Sequence, residues 1–289
     1  MSRILIIAGM HRSGTSLITQ WLTKCGLSVG SNLAGPEIGN VEGLFEDIDF
    51  QSIHKKMLRS RKLSPIGFEH KPFAPPDQTE KQTLLGLIDR KQQLYPQWGW
   101  KDPITCLFLD VYRELIPTAF YLVIVRDFRS TVTSLVLREH KVDMKRFSRK
   151  RGLSRLKWKI FRRKVLLHPF DLYAEKFLKV WIHYYERLLD HISTLTRDRY
   201  LVVNYRQLLS KDRALFQYLQ KAWQFSFDYF PFAEVYKPGL INKPATVERY
   251  IRDKSLIMRA EELQERFESM LSFEAPAEET HEQTGQVAR

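Results

Sequence analysis

The stretch Gly9-Met10-His11-Arg12-Ser13-Gly14-Thr15-Ser16 lies between the apolar run Ile4–Ala8 and the helical pattern Leu17, Trp21, Leu22. Strand, glycine-containing loop and helix in that order hold phosphates in α/β folds: backbone N–H groups and the positive helix end converge on the anion. The outline G-x-x-x-x-G-x-[ST] is met, but Thr15 stands where nucleotide triphosphatases carry lysine. The basic residue is Arg12, two places before Gly14. That displacement points to a phosphate-bearing ligand handled differently from ATP with magnesium.

A second segment adds to this. Ala119–Val125 is a continuous apolar run, as in a strand buried on both faces. Arg126 closes it, and a helix-compatible stretch follows with Ser134 eight residues after the arginine. Tyr200–Val203 is a further buried strand, followed by Asn204-Tyr205-Arg206. Strands at 3–8, 98–100, 119–125 and 200–203 alternate with helical patterns at 14–26, 79–94, 105–116, 127–140 and 171–195. Alternation of this kind predicts an α/β fold, a central and mostly parallel sheet with helices on both faces. The Gly-, Pro- and Asn-rich region 30–45 predicts a loop over the site, and a short helix starts near Asp49, with Asp47 placed to cap it. Residues 64–78, with four prolines, predict irregular chain. Trp98 and Trp100 are expected in the core.

The segments in this order resemble the sulfotransferase superfamily that uses 3′-phosphoadenosine 5′-phosphosulfate (PAPS). Its first loop, roughly P-K-S-G-T-[TS], is matched by His11-Arg12-Ser13-Gly14-Thr15-Ser16, and its strand ending in Arg with Ser eight residues on by Arg126 and Ser134. Glu42-Gly43-Leu44-Phe45-Glu46-Asp47 and Trp98-Gly99-Trp100-Lys101-Asp102-Pro103 are similar to segments of the bacterial and carbohydrate-acting branches. The likeness covers residues 4 to 210.

This resemblance implies a P-loop-like, three-layer fold and transfer of a sulfuryl group from PAPS to a hydroxyl, leaving 3′-phosphoadenosine 5′-phosphate (PAP). Arg12, Ser13, Gly14, Thr15 and Ser16 would hold the 5′-phosphosulfate, with Arg12 as a fixed charge in place of the commoner lysine. Arg126 and Ser134 would hold the 3′-phosphate; Ser134 lies two helical turns beyond the strand end, so its approach is expected to need an intervening loop. Tyr205 belongs to the turn after the last strand. Glu46 is the first candidate for general base and Glu42 the second, while His11 is expected to orient the loop. Lys101 would contact the transferring sulfate; its alternative is an ion pair with Asp102 or a neighbour. For the loop covering adenine, Lys237-Pro238-Gly239 and Asn242-Lys243-Pro244 are both open. No metal is expected.

Composition narrows the rest. Hydrophobic residues make up 44% of the 289, enough for a sizeable core, and no apolar run is long enough to cross a membrane. Met1-Ser2-Arg3 runs directly into a core strand, so no signal peptide and a cytoplasmic place, peripheral to a membrane at most, are expected. Cys25 and Cys106 are expected as buried thiols. The net charge of +13 fits anionic ligands and surfaces without choosing among them.

Thirteen Lys or Arg fall within 138–164 against Glu139 and Asp143. The segment reads as a solvated basic face, a docking face for an anionic acceptor such as a saccharide, or a contact with anionic lipid. No nucleic-acid motif appears. Residues 1–273 are expected as one domain and the polar stretch 274–289 as a disordered tail. Two other readings stay open: a P-loop kinase or nucleotide triphosphatase, and a non-enzymatic basic binding module.

Overall fold

Four short strands account for the middle layer: β1 (Arg3–Ala8), β2 (Gln97–Lys101), β3 (Phe120–Ile124) and β4 (Tyr200–Val203), all parallel, in the order β2-β1-β3-β4. These come from a computed structural model that describes residues 2–35, 43–148 and 168–273. In register, Leu5 pairs with Gly99 on one side and Phe120 on the other.

Side chains alternate across a strand, so the apolar run of β1 serves two cores. Ile4, Ile6 and Ala8 join the larger one, with Tyr121, Val123 and Val202. Leu5 and Ile7 join the smaller one, with Leu122, Ile124 and Val203. Helices α1 (Thr15–Lys24) and α7 (Leu208–Lys221) cover the second face through Ile18, Trp21, Leu22, Leu215 and Leu219. The first face is covered by α2 (Ile48–Ser60), α3 (Gln78–Leu94), α4 (Leu109–Leu115), α5 (Phe128–Ser148), α6 (Pro169–Ser193) and α8 (Lys254–Ser269). This is the expected three-layer α/β architecture. Trp98 and Trp100 are buried, and Phe50 of α2 stacks on Trp100 at 4.2 Å between ring centroids. Both cysteines are buried free thiols.

Two boundaries differ from expectation. The 105–116 helix divides into a 3-10 turn, Pro103–Leu107, and α4. Asp102 accepts a bond from the Ile104 N–H at 3.1 Å, so the chain turns as soon as β2 ends. Helix α5 runs to Ser148 rather than ending near 140. Its late turns carry Arg138 and Lys141, the first cations of the basic segment 138–164. The remainder of that segment from residue 149, and the tail 274–289, lie outside the described residues.

Gly99 is where the sheet tolerates no side chain. A Cβ there would meet the Leu5 carbonyl oxygen at 2.2 Å, between paired strands. Gly99→Ala is expected to destabilise the protein by about 1–3 kcal/mol through forced separation of β1 and β2. A thermal melt checks this, and an unchanged Tm would refute it.

Candidate active site

Ligands of open parallel sheets bind beyond the carboxyl ends of the strands, where neighbouring connections part. Here β1 has β2 on one side and β3 on the other. The loop after β1, Lys101 at the end of β2, Arg126 past β3 and Tyr205 past β4 therefore meet at one edge.

The loop closes on itself before the helix begins. Ser13 donates both its N–H (3.2 Å) and its Oγ (2.7 Å) to the Met10 carbonyl, and its side chain is fully buried. The Ser13 hydroxyl and N–H, expected to face a donor, are both used here in closing the turn. Arg12 and Gly14 take left-handed conformations, φ 67° and 98°. At Gly14 a Cβ would also lie 3.0 Å from the Tyr205 ring. Helix α1 then starts at Thr15 with no side-chain cap and no acidic residue in its first turn. The first-turn N–H groups of a helix have no intrahelical partners, and the helix dipole adds positive potential there.

Over this helix end opens a cleft of about 340 Å³. Five cationic side chains line it, Arg12, Arg126, Arg138, Lys141 and Lys237, and none of its described lining residues is acidic. Arg12 donates from Nε to Ser134 Oγ at 3.0 Å, and Arg126 donates to the Arg12 carbonyl at 2.9 Å. Burial, then the charges of Arg138 and Arg126, pull Arg12 down to about 10. It remains a cation near neutral pH. Arg126 Nε and Nη2 are buried without partners. The Arg126 backbone is firmly held: its N–H donates to Tyr185 Oη at 2.6 Å, and its carbonyl accepts from Tyr185 Oη (2.6 Å) and Trp181 Nε1 (3.3 Å).

Ser134 needs no intervening loop, contrary to expectation. Helix α5 begins two residues after Arg126, and Arg12 spans the gap to Ser134. Arg138 and Lys141, four and seven residues after Ser134, share its helix face and line the same cleft. The lining also includes Lys237, Gly239, Leu240, Ile241 and Asn242, so both candidate covering loops contribute, though Pro238, Lys243 and Pro244 do not.

A second cavity of about 100 Å³ lies on the other side of Arg12, Thr15, Ser16 and Arg138, which line both. Here Glu46 faces Lys101: Nζ donates to Glu46 Oε1 at 2.9 Å and to Ser16 Oγ at 3.2 Å. Lys101 thus forms its ion pair with Glu46 rather than with Asp102. The chain around Glu46 is fixed by Ala34 N–H on the Glu46 carbonyl (2.8 Å) and by Asp47. Asp47 caps α2 through the Asp49 N–H and pairs with buried Lys91 at 2.7 Å. Glu42, the alternative base, lies outside the described residues.

Burial raises the Glu46 carboxyl above its ordinary range, against the pull of Lys101. Burial likewise lowers Lys101, against Glu46. Below them, His54 Nδ1 meets Asp102 at 2.7 Å and its Nε2 meets Tyr112 Oη at 2.5 Å, all three fully buried. Burial alone would raise Asp102, but its bond to His54 holds it below the usual carboxylate range. His54 is thus a core histidine with a specific partner, which its lone position in the sequence did not signal. His11 also lines this cavity, edge-on to Phe68 at 5.0 Å, and burial pushes it down to about 3, so it is neutral.

The sequence from residue 5 to 228 matches the model of a sulfotransferase family. The chain belongs to the sulfotransferase family. Its fold is similar to that of sulfotransferase STF9 from Mycobacterium avium, at 12% identity and TM-score 0.55, covering 94% of this chain and 78% of that one. A sulfotransferase domain from the Synechococcus PCC 7002 olefin synthase aligns at 16% identity and TM-score 0.47, covering 96% and 98% of the two chains. One from the curacin biosynthetic pathway aligns at 14% identity and TM-score 0.46, covering 96% and 94%. A comparison with curated protein sequences returns no match.

Asp127, next to Arg126 beyond β3, accepts the Ser130 N–H at 2.7 Å and so caps α5. Among the described residues, no group of three or more His, Cys, Asp or Glu is placed to hold a metal, and no helix is long and apolar enough to cross a membrane.

Proposed function

We propose that this sulfotransferase moves a sulfuryl group from PAPS to a hydroxyl of a polar acceptor, of the saccharide type, and releases PAP. The observation that carries the reading is the all-cationic cleft joined through Arg12, Thr15, Ser16 and Arg138 to a cavity holding the Glu46–Lys101 pair. The two buried, unpartnered nitrogens of Arg126 fit an anionic group that is part of the ligand.

In this reading Arg126 and Ser134 bind the 3′-phosphate, with Arg138 and Lys141 adding charge. Arg12, Gly14, Thr15 and Ser16 bind the 5′-phosphosulfate, and Tyr205 packs beside the loop. As the acceptor oxygen bonds to sulfur, the bond from sulfur to the oxygen bridging to phosphorus breaks, and negative charge builds on that bridging oxygen. Arg12 and Lys101 offset this charge, while the hydroxyl proton passes to Glu46. Glu46 suits the role because a carboxylate made more basic by burial accepts a proton more readily. Gln51, Lys55 and Arg138 on the cavity wall offer donors to neighbouring hydroxyls of a saccharide.

Calorimetric titration tests the donor assignment. PAP without magnesium is expected to bind at least about 100-fold more tightly than ATP with magnesium, a difference of about 2.7 kcal/mol. The reverse order would move the chain to a kinase-like reading and leave Arg126 and Ser134 without their assigned ligand.

A further inference from the structure

Gln51 and Lys55 sit one turn apart on the same face of α2, and both line the acceptor cavity. Lys55 Nζ donates to Gln51 Oε1 at 2.6 Å, and Gln51 Nε2 donates to Glu46 Oε2 at 2.5 Å. With Lys101 on Glu46 Oε1 at 2.9 Å, the carboxylate holds a separate donor on each oxygen.

An amide has an oxygen end and a nitrogen end, and the two are interchangeable unless neighbours decide between them. Here the neighbours decide. An ammonium group only donates, so Lys55 requires the amide oxygen on its side. Turning the amide over would set its oxygen against the Glu46 carboxylate and its N–H groups against the Lys55 ammonium, two repulsions in place of two bonds.

We propose that Gln51, oriented by Lys55, is a positioning residue for Glu46: it keeps the buried carboxylate ionised and directed into the acceptor cavity. The proposal rests on the assignment of Glu46 as the base. Burial disfavours the charged carboxylate, and each hydrogen bond donated to it restores part of what burial removes. Lys101 alone would supply one such bond while being drawn toward the charge that builds on the departing phosphate oxygen. Gln51 is neutral and has no such competing demand. It therefore holds Glu46 in place whatever Lys101 does during the reaction. Each carboxylate oxygen has a further lone pair, so a hydroxyl proton can still be accepted.

The test follows the Glu46 carboxyl directly, by 13C NMR titration of protein labelled in its glutamate side chains, with the Glu46 signal assigned by its loss in Glu46→Gln. Gln51→Leu is expected to move the Glu46 titration upward by about one to two pH units, as befits loss of a hydrogen bond to a charged group. Lys55→Met, which keeps most of the side-chain stem, is expected to move it upward by less. PAP affinity, read by calorimetry, is expected to stay within about twofold in both variants. A Glu46 titration unchanged in Gln51→Leu, with PAP binding retained, overturns the proposal. If Gln51→Leu does not fold, Lys55→Met decides alone, and an unmoved titration there overturns it. Failure of the wild-type protein to bind PAP would defeat the donor reading and leave the titration result standing.

Discussion

Arg126→Ala is expected to lower PAP affinity about 100-fold while leaving the melting temperature unchanged or higher. The two effects have separate causes. Arg126 Nε and Nη2 are buried and unpartnered, so the free protein gains little from them. Against phosphate, each charge-assisted hydrogen bond contributes about 1.5–3 kcal/mol, and two outweigh a 100-fold change in affinity. The free protein loses one hydrogen bond, from Arg126 to the Arg12 carbonyl, and a cation–π contact with Tyr205 at 5.6 Å, and is relieved of a positive charge that depresses Arg12. The backbone at this position is held by Tyr185 and Trp181 through main-chain atoms, which alanine retains. Calorimetry with PAP and a thermal melt of the same variant check both halves. Affinity within about threefold of wild type would remove Arg126 from the 3′-phosphate site, and a large fall in Tm would make it structural.

Glu46→Gln is expected to reduce turnover by about 10²- to 10⁴-fold, the range for loss of a general base, with PAP affinity little changed. Turnover is read as PAP released from PAPS in the presence of acceptor. The pH profile gives a second readout. In the wild type, activity rises as Glu46 loses its proton, at a pH above its ordinary 4.5 because burial raises it. Activity falls again as Lys101 loses its proton, below its ordinary 10.5 because burial lowers it. The two limbs are thus drawn inward, and the acid limb is expected to vanish in Glu46→Gln. Removing the carboxylate also leaves Lys101 short of its partner in a site where it is 1% exposed. Loss of one member of a buried pair costs about 3–5 kcal/mol unless the other sheds its charge. The melt of this variant therefore belongs beside its kinetics. Undiminished turnover would move the base to Glu42 or His11.

Much of the fold was legible because parallel strands buried on both faces are continuous apolar runs. Ile4–Ala8, Ala119–Val125 and Tyr200–Val203 each became a strand within a residue or two. Asp47 was legible as a cap because capping depends on residues two or three apart. Arg126 and Ser134 came from the family resemblance, and both line the cleft. Arg138 and Lys141 fell in the basic segment 138–164, for which a solvated face, an acceptor-docking face and a lipid contact were all open, and the structure places both in the cleft wall. Extending the helix one turn and noting the spacing from Ser134 would have placed them.

Other features had no local signal. Nothing in the sequence distinguishes a serine that closes its own turn, as Ser13 does, from one that faces a ligand. The difference lies in where the Met10 carbonyl points. Nor could spacing couple Lys101 to Glu46 or His54 to Asp102, pairs separated by 55 and 48 residues. The sequence by itself determined the order of strands and helices along the chain and the strand–loop–helix around Gly14, because these depend on periodicity and on neighbours within one turn. Only the tertiary structure decided which charges meet. Such pairs form across the sheet edge, where segments distant in the chain are brought together, and burial there sets their basicity as much as residue type does.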